Sequence, residues 1–573
     1  MNDTYQLARL LAEIAQLLEL GGENTFKIRA YQNAARTMEQ FDGNLTDPDV
    51  EVKLTGLKGI GPALREIIRE YIATGRISYY EELKSGLPPV LFELMALPGL
   101  GAKKAWALHT QLGIHSLGEL EYACRENRLV TLSGFGSKTQ ERIQQGIEDM
   151  KKFQGQFILG DAWPVADLIV EYLKLQAGVE RVDIVGTIRR GVEVVSSIEI
   201  LAACSAPASL ATGVRSMQGI DHIISDEADK CVIRLINGLV CTIYIVSADE
   251  YWAALVYYTG SAAYVAKLEE QARQQGLLFN AAGLTNSRGG KIAVDDEQNL
   301  FSLLHVNYAE PECREDEDKL DPPGSEQVLL ASLSDIQGVF HVHTSYSDGA
   351  ASLADMASAA RQRGWSYLGI ADHSRTAVYA RGLSIETVRA QRREIEKLNA
   401  NQSGFAILAG IESDILPDGS LDYPEEILAE FDFVVASVHS AFRQTEADMT
   451  RRIVKAVQNR YVTMLGHPTG RLLLGRKGYA VNLTEVIQAA AHSGTMLEIN
   501  ASPHRLDLDW RWCRLAKEHG ILFAINPDAH SVSEFNYMRY GVAVARKAGL
   551  TASDIINSRP LPTVLQLLQQ KRQ

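Results

Sequence analysis

Apolar residues recur at helical spacing within residues 1–50, most clearly in LARLLAEIAQLLEL, and predict helices there. Between about 155 and 250 the pattern changes to short β-branched runs such as RVDIVG, IEILAA and LVCTIYIV, which are typical of strands in a mixed α/β unit. From residue 335 onward, near-continuous apolar runs alternate with helical segments. That alternation predicts a parallel sheet covered on both faces and closed, or nearly closed, as a barrel.

One pattern occurs three times in the N-terminal third. LTGLKGIGPALREII (54–68), LMALPGLGAKKAWAL (94–108) and LVTLSGFGSKTQERI (129–143) each place Gly, an apolar residue and Gly before an amphipathic helix. The glycines permit a tight hairpin whose outward N–H groups can hold a backbone phosphate without reading a base. A single copy is compatible with an ordinary turn, but three copies with matching flanks favour nucleic-acid binding. The candidate DNA contacts are Gly59, Gly61, Gly99, Gly101, Lys103, Lys104, Gly134, Gly136 and Lys138.

Composition restricts the class of protein. A chain of 573 residues is too long for one core and predicts several domains. The net charge of −14 argues against a protein that coats nucleic acid along its length, although local basic patches are compatible with it. Six scattered cysteines without a Cys-x-x-Cys pair fit a reducing cytoplasm. No run approaches about 18 apolar residues and the N-terminus lacks a signal peptide, so we expect a cytoplasmic protein without a membrane span. We also expect a monomer.

Nearly every apolar run of the C-terminal part ends in a side chain that can bind a metal. Because the carboxyl ends of parallel barrel strands open on one face, these side chains should converge. Imidazole and carboxylate ligands without thiolate suit Mn²⁺, Zn²⁺ or Fe²⁺, and nine of them indicate two or three close metals. Such a cluster activates water and is typical of phosphoester hydrolysis. The candidate ligands are His341, His343, Asp348, His373, Glu412, His439, His467, Asp528 and His530.

Three other histidines, His492, His504 and His519, fall in helix or loop positions and are interpreted as structural.

The motifs that carry these ligands resemble a known family. HVHTSYSDG, ADHS, GIESDI, SVHS, GHP and PDAHS are similar to the PHP (polymerase and histidinol phosphatase) domain over about 335–573, and all nine family ligand positions are filled. EINASPHRLDLDW at 498–510 also matches. The resemblance implies that Asn500 and Arg505 contact the substrate phosphate.

The N-terminal region 1–312 resembles a family X DNA polymerase, and the whole chain resembles a bacterial family X polymerase with a C-terminal PHP domain. This implies a role in DNA repair and a (β/α)7 PHP barrel behind helical, palm and thumb domains. In that family, carbonyls near the hairpins can hold a monovalent cation, and the matching positions are Thr55, Leu57 and Ile60, then Met95, Leu97 and Leu100. The implied boundaries are 1–85 and 86–154 for two helix-hairpin-helix domains, 155–250 for the palm, 251–312 for the thumb, 313–334 for an acidic linker and 335–573 for the PHP domain.

The palm departs from the family pattern. Three family carboxylates hold two Mg²⁺ ions, and the matching positions are Ser197, Glu199 and Thr242. Two are not acids, and the longer side chain of the third displaces its oxygens by roughly 1 Å. Positioning and charge neutralisation supply nearly all of this catalysis, so we expect polymerase activity to be lost or very weak. Glu193 could replace a missing acid only by swinging in from the preceding turn.

Other family features divide into those kept and those lost. Gly186, Thr187, Arg190 and Gly260 match the nucleotide-binding turn and the YYTGS segment. They are compatible either with a fold requirement or with a palm that binds a nucleotide without chemistry. A lyase that some relatives possess requires a lysine amine, and Ile67 and Ala63 occupy the matching positions. We therefore predict no such lyase.

Four functions remain open at this point. The first is a metal-dependent DNA nuclease, most simply a 3′→5′ exonuclease, that could also act at abasic sites or blocked 3′ ends. The second is an active gap-filling polymerase, against which Ser197 and Thr242 count. The third is a small-molecule PHP phosphatase, in which the three hairpins would have no role. The fourth is a non-catalytic DNA-end scaffold, which leaves nine ligands unexplained.

Overall fold

The structure of the protein is a computed structural model that describes residues 3–21, 23–39, 60–95, 97, 99–151, 155–316, 318–326, 328–400 and 403–572. The chain divides into two compact units, Met1–Ile147 and Glu148–Gln573. Within the described ranges, no helix combines the length and apolar character that crossing a membrane requires.

The first unit is helical where it is described, as its apolar spacing predicts. Buried residues of its first three helices, including Leu11, Ile14, Ile28 and Ile68, form one apolar cluster. Its helices are α1 (Asp3–Leu20), α2 (Thr25–Glu39), α3 (Pro62–Thr74), α4 (Ser78–Ser85), α5 (Val90–Met95), α6 (Ala102–Gln111), α7 (Leu117–Arg125) and α8 (Ser137–Lys151), with a 3₁₀ turn at Leu129–Thr131.

The second unit begins with the region that the family resemblance implies is a palm, and it is called the palm below. Its five-stranded sheet has the order β2-β4-β7-β6-β5, in which β4 and β7 are parallel neighbours and the other pairs are antiparallel. A separate two-stranded ribbon joins β1 to β3. The elements are β1 (Phe157–Ile158), α9 (Leu159–Lys174), β2 (Val179–Val185), α10 (Gly186–Arg189), β3 (Val194–Val195), β4 (Ser197–Cys204), α11 (Pro207–Arg215), β5 (Ile220–Asp226), β6 (Lys230–Leu235) and β7 (Val240–Val246).

The thumb follows with its own small apolar cluster, which includes Val256, Leu268 and Leu300. It consists of α12 (Tyr251–Thr259), α13 (Ala262–Gln274), the antiparallel strands β8 (Leu277–Asn280), β9 (Gly283–Asn286) and β10 (Lys291–Ile292), α14 (Glu297–Leu303) and a 3₁₀ turn at Pro311–Cys313.

Two residues in the first part of the acidic segment 313–334 pack against the fold, whereas residues 321–326 are exposed. Arg314 is fully buried and donates to Glu297 Oε1 at 2.7 Å. Asp318 is also buried and accepts a hydrogen bond from Arg514 at 2.8 Å. These contacts hold the segment between the thumb and the barrel.

The C-terminal part is a seven-stranded, all-parallel barrel in which each strand pairs with the next in sequence. The N–H of His343 donates to Ala529 O at 2.9 Å and closes the gap between the first and last strands. The prediction of a parallel, nearly closed barrel is confirmed. The strands are β11 (Gly338–Val339), β12 (Tyr367–Ile370), β13 (Ala406–Asp414), β14 (Phe433–Ser437), β15 (Met464–Leu465), β16 (Met496–Asn500) and β17 (Phe523–Asn526).

Helices surround this barrel, and several begin with a side-chain cap. Ser352, Thr445 and Asn482 each accept a hydrogen bond from the N–H three residues later, which satisfies an otherwise unpaired donor of the first turn. The helices are α15 (Leu353–Gln362), α16 (Ile385–Ala400), α17 (Glu425–Leu428), α18 (Glu446–Val457), α19 (Leu483–Ser493), α20 (Trp510–Glu518), α21 (Met538–Lys547) and α22 (Leu561–Gln570), with 3₁₀ turns at Leu333–Asp335, Val378–Ala380, Val532–Tyr537, Ala552–Asp554 and Ile556–Ser558.

The amino-terminal end of the barrel is filled with apolar side chains. Phe340, Leu408, Phe433 and Met496 share one buried cluster there with residues of α22. Side chains alternate along a strand, so Glu412 and Glu498, an even number of residues further on, face the same interior. The barrel therefore has an apolar base and a polar, carboxylate-bearing mouth.

Candidate functional site

The nine predicted ligands lie together at the carboxyl ends of the barrel strands. His341 and His343 follow β11, His373 follows β12, Glu412 is near the end of β13, and the others follow β14, β15 and β17 or lie in the loop after β11. Eight of them are buried, and the side chain of His439 is 7% exposed. The parallel topology, which gathers the ends of sequentially distant strands on one face, brings them together.

Glu412 is the centre of one half of the site. Its Oε2 lies 2.9 Å from His373 Nδ1, and its Oε1 lies 3.0 Å from His467 Nε2. His439 Nε2 is 3.2 Å and His341 Nε2 is 3.4 Å from the same Oε1. A fifth ring nitrogen, His343 Nε2, is 3.7 Å from Oε2, so this one carboxylate faces five imidazoles.

Two further carboxylates organise the other half. Asp528 Oδ1 lies 3.1 Å from His343 Nε2. Asp348 faces His530 Nε2 at 3.4 Å and His373 Nε2 at 3.5 Å. Ligand atoms within 4.8 Å of one another form three overlapping groups: His343, Asp348, His373 and His530; His341, His343 and Asp528; and His373, Glu412 and His439.

The donor set fits divalent metals by a second criterion. Several buried side-chain atoms of the site form no hydrogen bond of acceptable geometry with a described residue, although some lie close to an oppositely charged group. They are His341 Nε2, His343 Nδ1, Asp348 Oδ2, both ring nitrogens of His373, Glu412 Oε2 and His467 Nδ1. A buried polar atom without a partner costs about 1–3 kcal/mol. Metal ligation would satisfy these atoms, and the absence of thiolates among them suits a borderline or hard divalent ion.

The charges at the site also fit the binding of divalent metals. Burial lowers the pKa of His341, but Asp528, Glu498 and Glu412 outweigh it and hold that pKa well above its usual range. Burial raises the pKa of Glu412, yet the surrounding histidines keep it well below its usual range. The carboxylates are therefore ionised and require positive charge beside them, which protons supply when metal ions do not.

Two carboxylates that the sequence analysis did not select orient these histidines. Glu498 Oε1 lies 2.8 Å from His341 Nδ1, and Asp414 Oδ1 lies 2.5 Å from His439 Nδ1. Each leaves the opposite ring nitrogen directed at Glu412. The available signal was position, since Asp414 is two residues from Glu412 and Glu498 is two residues from Asn500.

The backbone is strained at two of the predicted ligands. His467 has φ of 26° and Asp528 has φ of 51°, in the left-handed region that residues other than glycine rarely occupy. Such conformations persist where the surroundings hold them, and they concentrate at functional sites.

The predicted phosphate contacts lie at the edge of the cluster. Asn500 is fully buried, and its Nδ2 donates to Asp528 Oδ2 at 3.0 Å. Arg505 is 4% exposed, with Nε 3.6 Å from the same oxygen. Both side chains therefore border the carboxylate that also faces His341 and His343.

Ser197, Glu199 and Thr242 lie on one face of the palm sheet. Glu199 pairs with Thr242 across the parallel strands β4 and β7, and Ser197 lies two residues before Glu199. Burial raises the pKa of Glu199, while Arg190 and the N–H of Thr187 oppose that shift. This face therefore presents one partly buried carboxyl group at the three family positions.

The space beside Gly186, in the turn that follows β2, is already occupied by another side chain. A Cβ built on Gly186, whose φ is 64°, would collide with the Glu199 carboxylate, which also accepts a hydrogen bond from the N–H of Thr187. Arg190 is 8% exposed and donates to Thr259 O at 2.6 Å. Gly260 lies next to Thr259, at the end of α12.

In the described hairpins, the space beside the glycine at each helix start is open. A Cβ added to Gly61, Gly101 or Gly136 would meet no described atom within 4 Å, so a ligand could approach these helix starts closely. Gly99 and Gly134, two residues earlier in their hairpins, both have φ of 87° and make the turn. The predicted contact Gly59 lies outside the described residues, as do Thr55 and Leu57, two of the residues with carbonyls at the implied cation positions.

The hairpin lysines differ in environment. Lys103 is 85% exposed and lies 3.3 Å from Glu19, whereas Lys104 lies over the ring of Phe135 at 5.5 Å. Lys138 is exposed in the first turn of α8.

Four family models match the chain. A helix-hairpin-helix domain matches residues 2–77, a SAM-like helix-hairpin-helix tandem 91–149, a DNA polymerase beta thumb 254–315 and a PHP domain 340–502. Probable phosphatases are similar to the barrel: one of a Thermoanaerobacter species is 31% identical over 165 residues, 27% of this chain and 65% of its own. Another, of Photobacterium profundum, is 29% identical over 226 residues, 38% of this chain and 87% of its own.

A relative of similar length matches nearly the whole chain. The DNA polymerase/3′-5′ exonuclease PolX of Bacillus subtilis (strain 168) is 34% identical over 561 residues, which are 97% of this chain and 98% of its own. With helix-hairpin-helix, thumb and PHP matches in the same order along one chain, this protein belongs to the PolX family.

Proposed function

We propose that this protein is a metal-dependent DNA nuclease, acting as a 3′→5′ exonuclease through its PHP barrel. The observation that carries the proposal is the buried cluster of nine histidine and carboxylate side chains at the barrel mouth. The Bacillus subtilis relative, matched over nearly its full length, bears the name of a polymerase and 3′-5′ exonuclease. The same centre could also remove damaged 3′ ends or cleave at abasic sites.

The chain's own residues would divide the work at this centre. The nine ligands would hold two or three divalent ions, of Mn²⁺, Zn²⁺ or Fe²⁺. When bound, such ions activate water and stabilise the oxygens of a phosphodiester during displacement. Glu498 and Asp414 would fix the ring orientation of His341 and His439. Asn500 and Arg505 would orient the substrate phosphate beside Asp528.

The hairpins of the first unit would hold the DNA backbone. Gly61, Gly101 and Gly136 leave open space at helix starts, where N–H groups and the helix dipole favour phosphate. Lys103 and Lys138 are exposed beside them. This binding would not be sequence-specific, because it addresses the backbone and not base edges. A monovalent cation would be bound at the hairpin carbonyls.

The palm would not polymerise nucleotides. Two of the three family acid positions carry Ser197 and Thr242, and Glu199 is engaged with the Gly186–Thr187 turn. Arg190 is buried in contact with Thr259, so it is not available to a triphosphate. These contacts favour a palm that keeps its fold without binding dNTP. In this proposal 1–85 and 86–154 bind DNA, 155–250 and 251–312 are structural, 313–334 connects them, and 335–573 performs hydrolysis, all within a monomer.

The test is a 5′-labelled primer annealed to a longer template, incubated with Mn²⁺ in the presence and absence of dNTPs. We expect shortening that ignores dNTPs and is lost in His341→Ala. His492→Ala, which changes an exposed histidine, is the matched control and should behave as wild type. Primer extension would refute the loss of polymerase activity.

Hydrolysis of a phosphomonoester such as p-nitrophenyl phosphate distinguishes the remaining alternative, a small-molecule phosphatase, from the nuclease. Phosphatases similar to the barrel make a small-molecule phosphatase the second candidate. Hydrolysis of the monoester with no shortening of DNA would select that function over the nuclease.

A further inference from the structure

The loop 502–509 carries Arg505 to the metal centre in a conformation that requires outside support. Arg505 Nε is 3.6 Å from Asp528 Oδ2. The next residue, Leu506, has φ of 41°, in the left-handed region. A non-glycine residue in that conformation costs about 1–3 kcal/mol and persists only where neighbouring groups hold it.

Arg471 supplies much of that support. Its Nε donates to Arg505 O at 2.9 Å, and its Nη2 donates to Leu506 O. Its Nη1 donates to Asp509 Oδ2 at 3.0 Å. One planar guanidinium therefore joins two carbonyls and a carboxylate of the same loop, a geometry that a lysine ammonium cannot reproduce.

The palm touches both this arginine and the loop. Glu193 Oε1, in the turn before β3, lies 3.5 Å from Arg471 Nη2. Gly160, in the first turn of α9, lies so close to Pro503 that an added Cβ would be 2.6 Å from Pro503 Cγ. The N–H of Leu159 donates to Glu193 O at 2.9 Å, so the two palm contacts are themselves connected.

We propose that Glu193 and Arg471 are positioning residues through which the palm holds loop 502–509, and with it Arg505, in place for hydrolysis at the PHP centre. This inference rests on the proposed nuclease function. In this role, a palm without polymerase activity acts as a rigid support for the nuclease site. Supports of this kind matter because displacement of a substrate-orienting group by about 1 Å can lower turnover up to roughly a hundredfold.

The experiment compares Glu193→Ala, Glu193→Gln and Arg471→Lys with wild type in the full-length protein with Mn²⁺. Asp167→Ala is the matched control, because Asp167 forms another palm–barrel ion pair, with Arg539 at 2.8 Å, away from the loop. Turnover and KM are measured on 5′-labelled single-stranded DNA and on bis(p-nitrophenyl) phosphate. Thermal unfolding of every variant is recorded, and Glu193→Gln, which preserves side-chain shape, serves as the second variant should Glu193→Ala fold poorly.

We expect Glu193→Ala to lower kcat roughly tenfold on both substrates with KM changed less than about twofold. Glu193→Gln should fall between Glu193→Ala and wild type, Arg471→Lys should lose at least as much as Glu193→Ala, and Asp167→Ala should match wild type. The Mn²⁺ concentration for half-maximal activity should not move, because no ligand is changed.

Three results would overturn the inference. An equal loss in Asp167→Ala would indicate general loosening of the palm–barrel contact. A change in KM for DNA alone, with the small diester unaffected, would make Glu193 a DNA contact. Wild-type kinetics in Glu193→Ala and Arg471→Lys would show that the loop needs no palm support. Wild type without His341-dependent DNA hydrolysis would instead refute the proposed function itself.

Discussion

At the scale of single residues, the site depends on groups that hold the ligands as much as on the ligands. Glu498 accepts three other hydrogen bonds besides its contact with His341, from Asn526 Nδ2 at 3.0 Å, from the N–H of His467 at 2.7 Å and from Asn500 Nδ2 at 3.2 Å. It therefore fixes one candidate ligand by its ring and another by its backbone. Partners of this kind raise ligand basicity and set the tautomer that faces the metal.

We expect Glu498→Gln to weaken apparent Mn²⁺ affinity about 10–100-fold while activity at saturating metal falls less. The amide keeps the shape of the side chain but loses the charge that orients His341. The measurement is nuclease activity against Mn²⁺ concentration. Glu485→Gln, at an exposed position of α19, is the control and should leave the curve unchanged. An unshifted curve for Glu498→Gln would remove Glu498 from the support of the site.

At the scale of elements, a glycine turn has one role in the hairpins and another in the palm. In the hairpins, glycine opens the start of a helix, and Gly101 is the N-cap of α6 with no described atom near its absent side chain. In the palm, Gly186 makes room for the carboxylate of Glu199. The hairpin turn is available to a phosphate, whereas the palm turn is already occupied by the carboxyl group of Glu199.

The hairpin element predicts a specific salt dependence. The double variant Lys103→Ala/Lys138→Ala should weaken DNA binding and lower the slope of log affinity against log salt by about 2, one for each lost phosphate contact. Fluorescence anisotropy over a salt series measures that slope. Lys455→Ala, which removes another exposed lysine paired with an acid at 3.4 Å, should leave it unchanged. Equal slopes for the double variant and wild type would exclude these lysines as phosphate contacts.

At the scale of the whole molecule, the palm and the barrel are one folded body within the second unit. A single apolar cluster contains palm residues such as Ile169 and Ile200 together with barrel residues such as Val339 and Ile525. Trp163 of the palm contacts the ring of Tyr540 in α21 with ring centroids 5.9 Å apart. Events at the barrel mouth should therefore affect the stability of the palm as well.

Metal binding is expected to stabilise this unit as a whole. Mn²⁺ at about 100 times its Kd should add about 2.7 kcal/mol, since the unfolded chain lacks the site. In calorimetry this appears as a rise of several degrees in unfolding temperature that a chelator reverses and His341→Ala diminishes. Nearby carboxylates raise the pKa values of His341, His373 and His439 in the absence of metal, so protons compete with Mn²⁺ for these rings. At one fixed Mn²⁺ concentration, the rise in unfolding temperature should therefore be larger near about pH 8 than near about pH 6. An equal rise in His341→Ala would place the stabilising metal elsewhere.

The sequence by itself determined the elements and which histidine and carboxylate side chains are candidate metal ligands. Helical spacing, β-branched runs and strand-helix alternation can be recognised locally. The direction of side chains repeats with a period that depends only on whether the element is a helix or a strand. Parallel strands share one open end, so ligands at the ends of successive runs had to converge. The identity of the residues at Ser197 and Thr242 likewise required no structure to indicate a palm without its acids.

Only the tertiary structure decided how side chains far apart in sequence are paired. No local periodicity encodes such contacts, because each depends on how separate elements pack. Examples are the contacts of Glu498 with His341, Glu199 with Gly186 and Glu193 with Arg471. Arg190 matched a nucleotide-binding position in sequence, yet packing of the thumb placed Thr259 O against it. A motif fixes which chemical groups are present, whereas the three-dimensional packing determines which of them remain available to a ligand.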